Sequence, residues 1–219
     1  MPALLLFVML TACAASPQDL SGKMFTFPQE TDTARVMLNI STHNLKAVTV
    51  CLRSFTDLKR IHGLFSLATP SSDNGVLIIR NIDKVDLRVN DQRVDYVVDY
   101  ELNTWHSICS TWDSESGLGQ LWFNGKPLVR KFTSKSQIDK PLVTLGQEQD
   151  SYGGKFDIKQ SFVGMMTDVH MWNYVLSSCE IQNYVGNLNF TPGNVLNWKA
   201  LTFEKTGNVL IENKQLTCH

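Results

Sequence analysis

Apolar and polar residues alternate with a period of two along most of this chain. In the stretch from Lys46 to Phe55, Val48, Val50 and Leu52 fall on one face and Thr49, Cys51 and Arg53 on the other. That is the pattern of a half-buried β-strand. The run from Asn74 to Arg80 is denser in apolar residues and suits a strand covered on both sides. Between Gly119 and Phe132, two short strand patterns flank Asn124-Gly125. This dipeptide meets the positive-φ demand of a tight hairpin turn. Turn signals recur about every ten residues, the spacing of sandwiches and barrels.

One segment breaks the alternation. Ser177 is followed three residues later by Glu180, the spacing of a capping box, and Gly186 stands where a C′ glycine would. The pattern predicts one helix of about two turns. The chain has no internal repeat, low-complexity tract or Pro-rich linker. The economical reading is a single all-β domain, two antiparallel sheets or a barrel, with one short helix.

Composition narrows the function classes. The 219 residues are 43% hydrophobic and carry 20 basic and 21 acidic side chains, for a formal charge of −1. There is no basic block, zinc-finger or RNP pattern, so no direct nucleic-acid signature exists. Leu4 to Leu10 is an apolar run ending in Ala12-Cys13-Ala14, a small-residue cleavage pattern. Residues 1–15 are therefore expected to be a secretory signal peptide, leaving 16–219 as the mature domain; a buried first strand is the competing reading. No later segment has about 18 uninterrupted apolar residues, so the expectation is a soluble, secreted protein without a transmembrane segment.

Secretion changes the meaning of the cysteines. Of five, Cys13 belongs to the expected leader, which leaves Cys51, Cys109, Cys179 and Cys218. Four thiols in an oxidising compartment imply two disulfides with three possible pairings, while the lack of any C-x-x-C spacing argues against zinc. Asn39 and Asn189 each begin an N-glycosylation acceptor triplet.

The candidate chemistry concentrates in one loop. From Gly146 to Ser161 the chain holds Glu148, Asp150 and Asp157, the amides of Gln147, Gln149 and Gln160, and a Gly153-Gly154 pair. Calcium takes about six to eight oxygen ligands from carboxylates, amides and backbone carbonyls. Glu148 and Asp150 would share one face of an extended segment, and the glycines would let Asp157 and Gln160 fold back to the same place. Asp73-Asn74-Gly75, at a strand start, could add ligands. The loop does not match the EF-hand pattern, and the residues alone leave open a solvated acidic loop.

A family resemblance adds to this. Ser107 to Ser114 resembles the pentraxin signature, with Ser107 where the family usually has His and His106 displaced by one. Leu145 to Asp157 resembles the family's calcium loop almost residue for residue. Further matches lie at Phe25 to Val36, Lys46 to Phe55, Phe123 to Lys131, His170 to Ile181 and Asn194 to Leu201. The resemblance covers roughly residue 22 to the end.

It implies a flattened jelly-roll sandwich of two antiparallel sheets, lectin-like, with one short helix on one face. It implies a Cys51–Cys109 disulfide. Cys179 and Cys218 are extra relative to the family's human plasma members and are expected to pair with each other. It implies two calcium ions. Asp73, Asn74, Glu148, Asp150 and the backbone carbonyl of Gln149 would hold the first. Glu148 and Asp150 would recur at the second, joined by Asp157 and Gln160. A phosphate or other oxyanion would bridge both ions. In choline-binding members a Phe and a Glu receive the headgroup; the matching positions here are Ile79 and Arg93, and a cation beside Arg93 would be repelled. Phosphoethanolamine- or phosphocholine-type headgroups, phospholipids and anionic carbohydrates are the implied ligand classes. A cyclic homopentamer, complement components as partners, and an innate-immune, acute-phase role are implied as well.

Two rivals come from the residues. Jelly-roll glycosidases place two carboxylates on a Glu-x-Asp-x-Glu strand; Glu148-Gln149-Asp150 supplies half, but position 152 is Tyr, so no enzyme is expected. An adhesive laminin-G-like module is the other. The five His are scattered, and the five Trp read as mostly core rather than a sugar-stacking platform.

Overall fold

Alternation in the sequence becomes two facing sheets. The computed structural model describes residues 16–215; the expected leader, Cys13, Cys218 and His219 lie outside the described residues. One sheet orders the strands Lys126–Pro127, Leu118–Phe123, His106–Asp113, Ala47–Phe55, Gly164–Trp172, Lys23–Phe27 and Leu210–Asn213, with Lys131–Phe132 also pairing Leu118–Phe123. The other orders Phe203–Thr206, Arg35–Leu38, Leu142–Leu145, His62–Thr69, Ser72–Asn81, Lys84–Val89 and Gln92–Val97. Every pairing is antiparallel. Val50, Leu52, Ile108 and Val169 from the first sheet and Leu64, Leu67, Val76, Ile78 and Val143 from the second fill one continuous core, as expected of a jelly-roll sandwich.

The Ala47–Phe55 strand is more buried than its alternation predicts. Val48, Val50 and Leu52 face the core, but Thr49, Cys51 and Arg53 are buried too. Their face is roofed by the helix Ser178–Val185, which packs Ile181 and Tyr184 against Trp122, Trp172 and the Cys51–Cys109 disulfide. The Thr49 hydroxyl is satisfied there, donating to the Tyr174 carbonyl at 2.7 Å and accepting from the Leu176 amide at 3.0 Å.

The local signals hold with two corrections. Phe123 pairs Lys126 across Asn124-Gly125, whose φ angles of 49° and 78° are those of a two-residue primed turn. Ser177 caps the helix, its hydroxyl accepting from the Glu180 amide at 3.3 Å. The reciprocal half of the capping box is not made; the Glu180 carboxylate instead accepts from the Thr191 amide at 3.0 Å, tying the following loop to the helix. Gly186 ends the helix at φ −76°, and the left-handed residue is Asn187, at φ 53°. Asparagine tolerates that region, so the glycine is not needed for it.

Candidate functional site

The acidic loop grows out of the strand Leu142–Leu145. At Gly146 the backbone takes φ +87° and passes so close to Phe27 that a Cβ would lie 2.2 Å from its ring. Only glycine permits this turn across the aromatic face. The chain then runs over the outer side of His62–Thr69, where a Cβ on Gly63 would sit 3.3 Å from the Glu148 Cβ. Gln147 donates its amide to the carbonyls of Thr31 (2.7 Å) and Ala34 (3.0 Å). Gln149 donates to the carbonyls of Ser66 and Leu142, both at 3.1 Å, and its Oε1 accepts from the Gly153 amide at 3.0 Å. These two glutamine amides are thus framework anchors. The side-chain oxygen of Gln149 is already used, which leaves its backbone carbonyl for any ligand.

Beyond them, Ser151 and Gly154 exchange backbone bonds in a tight turn, with Gly153 at φ +81°. Asp157 caps the 3₁₀ turn Ile158–Gln160 by accepting from the Lys159 amide at 2.9 Å. Arg60 clasps the far end, donating to the carbonyls of Lys159 (2.9 Å) and Ser161 (2.7 Å), and the Phe162 amide returns to the Gly146 carbonyl at 3.0 Å. Both ends of the loop are therefore fixed by the fold.

The carboxylates converge above the strand Ser72–Asn81. Glu148 is 2% exposed; burial first, then the charge of Asp150, pushes its carboxyl up to about 8. Burial, a hydrogen bond with Asp91, and the charges of Asp91 and Asp150 raise Asp73 as well. Asn74 donates to both Asp73 and Asp91, at 2.9 Å each. Asp73, Glu148 and Asp150 thus share one locality, joined by Asp91, which the sequence reading missed. Its signal is Asn90-Asp91, a positive-φ pair turning Lys84–Val89 into Gln92–Val97 and delivering Asp91 beside Asn74.

Four buried oxygens in and beside the loop have no donor: Asn74 Oδ1, Gln147 Oε1, Glu148 Oε2 and Gln160 Oε1. Buried acceptors without donors carry the full desolvation cost, and a cation relieves it. The set is all oxygen, with no sulfur or imidazole, as hard cations such as calcium require. These residues fit calcium. Asp157 is exposed, its carboxylate accepting from the Lys159 amide on the 3₁₀ turn. Among the described residues, no three His, Cys, Asp or Glu side chains form a ready-made metal cluster; amide oxygens make up part of the donor set.

The expected headgroup positions fare differently. Ile79 is 0% exposed and offers no surface to a ligand in this structure. Arg93 has a side chain 43% exposed and is engaged by Asp95 at 2.6 Å and by Asp86 at 2.9 Å. None of the described histidines reaches the site's carboxylates through a hydrogen bond or ion pair. His62, His106 and His170 are buried within the fold. Trp112, Trp122, Trp172 and Trp198 are buried, and Trp105 is half-buried against Phe55. Asn39 and Asn189 are exposed, as is Cys179, which has no disulfide partner among the described residues.

Known proteins resemble this chain along nearly its whole length. The family model of the pentaxins (pentraxins) matches residues 23–213. Serum amyloid P-component of Cavia porcellus is 42% identical over 199 residues, 89% of this chain and 88% of the relative. Mucosal pentraxin of Bos taurus is 40% identical, covering 98% of this chain and 100% of the relative. Among solved structures, a heptameric SAP-like pentraxin from Limulus polyphemus superimposes with a TM-score of 0.79 at 24% identity, over 88% of this chain and 95% of that one. The buried disulfide, the two-sheet sandwich with its single roofing helix and the end-to-end likeness have one explanation: this chain belongs to the pentraxin family.

Proposed function

We propose that this protein is a secreted, calcium-dependent recognition protein of innate immunity that binds phosphate-bearing or anionic glycan and phospholipid ligands. The observation that carries the reading is the set of donorless buried oxygens in and beside the acidic loop, those of Gln147, Glu148 and Gln160 within it and that of Asn74 on the neighbouring strand. Asp73, Asn74, Glu148, Asp150 and the Gln149 carbonyl would hold one calcium, and Glu148, Asp150, Asp157 and Gln160 a second. Bound calcium supplies concentrated positive charge that draws an oxyanion to the loop. The chain's own part is to fix the donors: Gln147 and Gln149 pin the loop to the sheet, and Arg60 holds its far end. Binding rather than catalysis is favoured because Tyr152 occupies the place of the second glycosidase carboxylate.

Self-assembly into a ring belongs to the same reading. Val97, Val129 and Phe132, exposed by 71%, 71% and 61%, lie along one lateral margin of the sandwich, where Lys131 reaches across to the Tyr96 ring. The opposite margin, formed by Phe203–Thr206 and Leu210–Asn213, carries Glu204, Glu212 and Leu210. A head-to-tail contact between such unlike edges closes into a ring and multiplies weak sites into avidity. The same reading includes cleavage of residues 1–15, a Cys179–Cys218 bond and glycans on Asn39 and Asn189.

The test is Asp150→Asn. The wild type should be retained on phosphoethanolamine resin in millimolar calcium and released by chelator, and Asp150→Asn should flow through. Equal retention of both would remove the calcium-dependent reading.

A further inference from the structure

The outer face of the seven-stranded sheet carries a second charged group beside the acidic loop. Leu77, Arg88 and Arg93 are register partners across three adjacent strands, and Ile79, Asp86 and Asp95 form another such row. Side chains in a row share a face, so Arg88 and Arg93 are direct cross-strand neighbours. Like charges placed directly opposite are destabilising, so this pair calls for a counter-charge. Arg93 has one: Asp95 and Asp86 fix its Nε and one terminal nitrogen, and its NH1 group has no partner among the described residues. Arg88 makes no ion pair or side-chain hydrogen bond among the described residues, and its Nε is buried without an acceptor. Its charge acts on Glu148 on one side and Asp86 on the other, which places it between the acidic loop and the Arg93 cluster.

We propose that Arg88, with the free NH1 of Arg93, is a second anion subsite next to the loop. The ligand of this protein then carries two anionic groups, one drawn to the calcium-bearing loop and one taken by the Arg88 guanidinium. This rests on the calcium-dependent reading above. Because Asp86 and Asp95 largely neutralise Arg93, the attractive charge is that of Arg88, and the fixed fork of Arg93 adds direction. The chemical class is a sugar or headgroup with two phosphates, or a phosphate and a second acidic group, in preference to a zwitterionic headgroup. An ammonium would meet Arg88 and Arg93 and be repelled.

The experiment uses calorimetry on the full mature protein in calcium, with glucose 6-phosphate and glucose 1,6-bisphosphate as probes. The wild type should bind the bisphosphate about tenfold more tightly, beyond the twofold that two equivalent phosphates give. Arg88→Gln should bring the ratio down to about two, and Arg88→Lys should keep part of it. Direct calcium titration of Arg88→Gln should show affinity raised, since a like charge near Glu148 is gone. A wild-type ratio near two, or a high ratio surviving in Arg88→Gln, overturns the subsite while leaving the calcium reading standing. Calcium affinity falling with the ratio in Arg88→Gln would show only disturbed structure and also overturns it. Failure of the wild type to bind either probe in calcium overturns both.

Discussion

The guanidinium of Arg53 donates to the Tyr184 carbonyl at 2.7 Å and so closes the C-terminal end of the helix from the sheet beneath it. The same group reaches the Val185 carbonyl, Asn187 Oδ1 and Ser107 Oγ, lies 5.1 Å from the Tyr184 ring centroid, and pairs with Asp168 at 3.1 Å. The last carbonyls of a helix are unsatisfied, and a cation there also favours the helix dipole. Ser107, where the family usually has His, is one of its partners.

Arg53→Gln should therefore destabilise the fold by about 2–4 kcal/mol, through orphaned carbonyls and loss of the Asp168 partner. Arg53→Lys should recover only part, because an ammonium cannot serve this fan of acceptors. Urea unfolding of the oxidised protein measures both. A loss below about 0.5 kcal/mol in Arg53→Gln, the range of an ordinary surface substitution, would show that the helix is held by apolar packing alone.

Proteolysis reports the metal dependence of the loop. Its ends are tied by Gln147, Gln149, Arg60 and the Phe162-to-Gly146 bond, but Lys155 is exposed. Without calcium, the charges of Asp73 and Asp150 repel each other and the buried oxygens of Glu148 and Gln160 lack a partner, so the tip opens, whereas the sandwich and its disulfide do not depend on metal. Brief trypsin or chymotrypsin treatment in chelator should cut after Lys155 or Phe156, and millimolar calcium should protect both bonds. Identical rates in the two conditions would show that metal does not order the tip.

Calcium should also expel a proton. With the Glu148 carboxyl pushed up to about 8 in the metal-free fold, it is mostly protonated at neutral pH. A ligating carboxylate is ionised, so binding at pH 7 should release roughly one proton per subunit and tighten as pH rises towards 8. Calorimetry in buffers of different ionisation enthalpy counts that proton. Glu148→Gln should abolish the release, and a wild-type count near zero would mean Glu148 is ionised before metal arrives.

Acid should weaken the fold through two buried histidines. Burial holds His62 down to about 3 and His170 down to about 4, against an ordinary value of 6.5. In both cases the unfolded chain binds more protons than the fold between about 6.5 and the folded value. Stability is thus complete above pH 6.5 and declines below it, by at most about 1.4 kcal/mol per pH unit for each histidine. Urea midpoints between pH 7 and 4.5, measured in calcium to keep Glu148 ionised, should fall accordingly. The slope should flatten in His62→Gln and His170→Gln; an unaltered slope in both would assign the acid sensitivity to carboxylates.

Much of this protein is readable from its sequence, and the gaps have physical causes. Asn124-Gly125 and Ser177 act on their immediate neighbours, so the hairpin and the helix start follow from local chemistry. The burial of Thr49 and Arg53 does not, because the roof over them is about 130 residues away in the chain and only the fold brings it there. In the site, Glu148 and Asp150 are legible because they sit together in one loop. Asp91 is not, because it reaches Asn74 only when two hairpins lie side by side. The amides of Gln147 and Gln149 carry a role that spacing alone does not reveal: they donate to the carbonyls of Ala34 and Ser66 and stitch the loop to the sheet.

The helix and the acidic loop lie on opposite sheets, with the whole core between them. Arg53 and the disulfide hold one side, and the tethers of Gln147 and Gln149 hold the other. A close-packed slab of this kind does not flex by degrees, so events at one surface have no continuous route to the other. The two surfaces work like the adhesive and printed sides of a label. A ligand bound at the loop, as proposed, would fix where the molecule sits and which way it faces, with the back displayed already formed. An observer approaching the back would then read crowding and orientation rather than a change of shape.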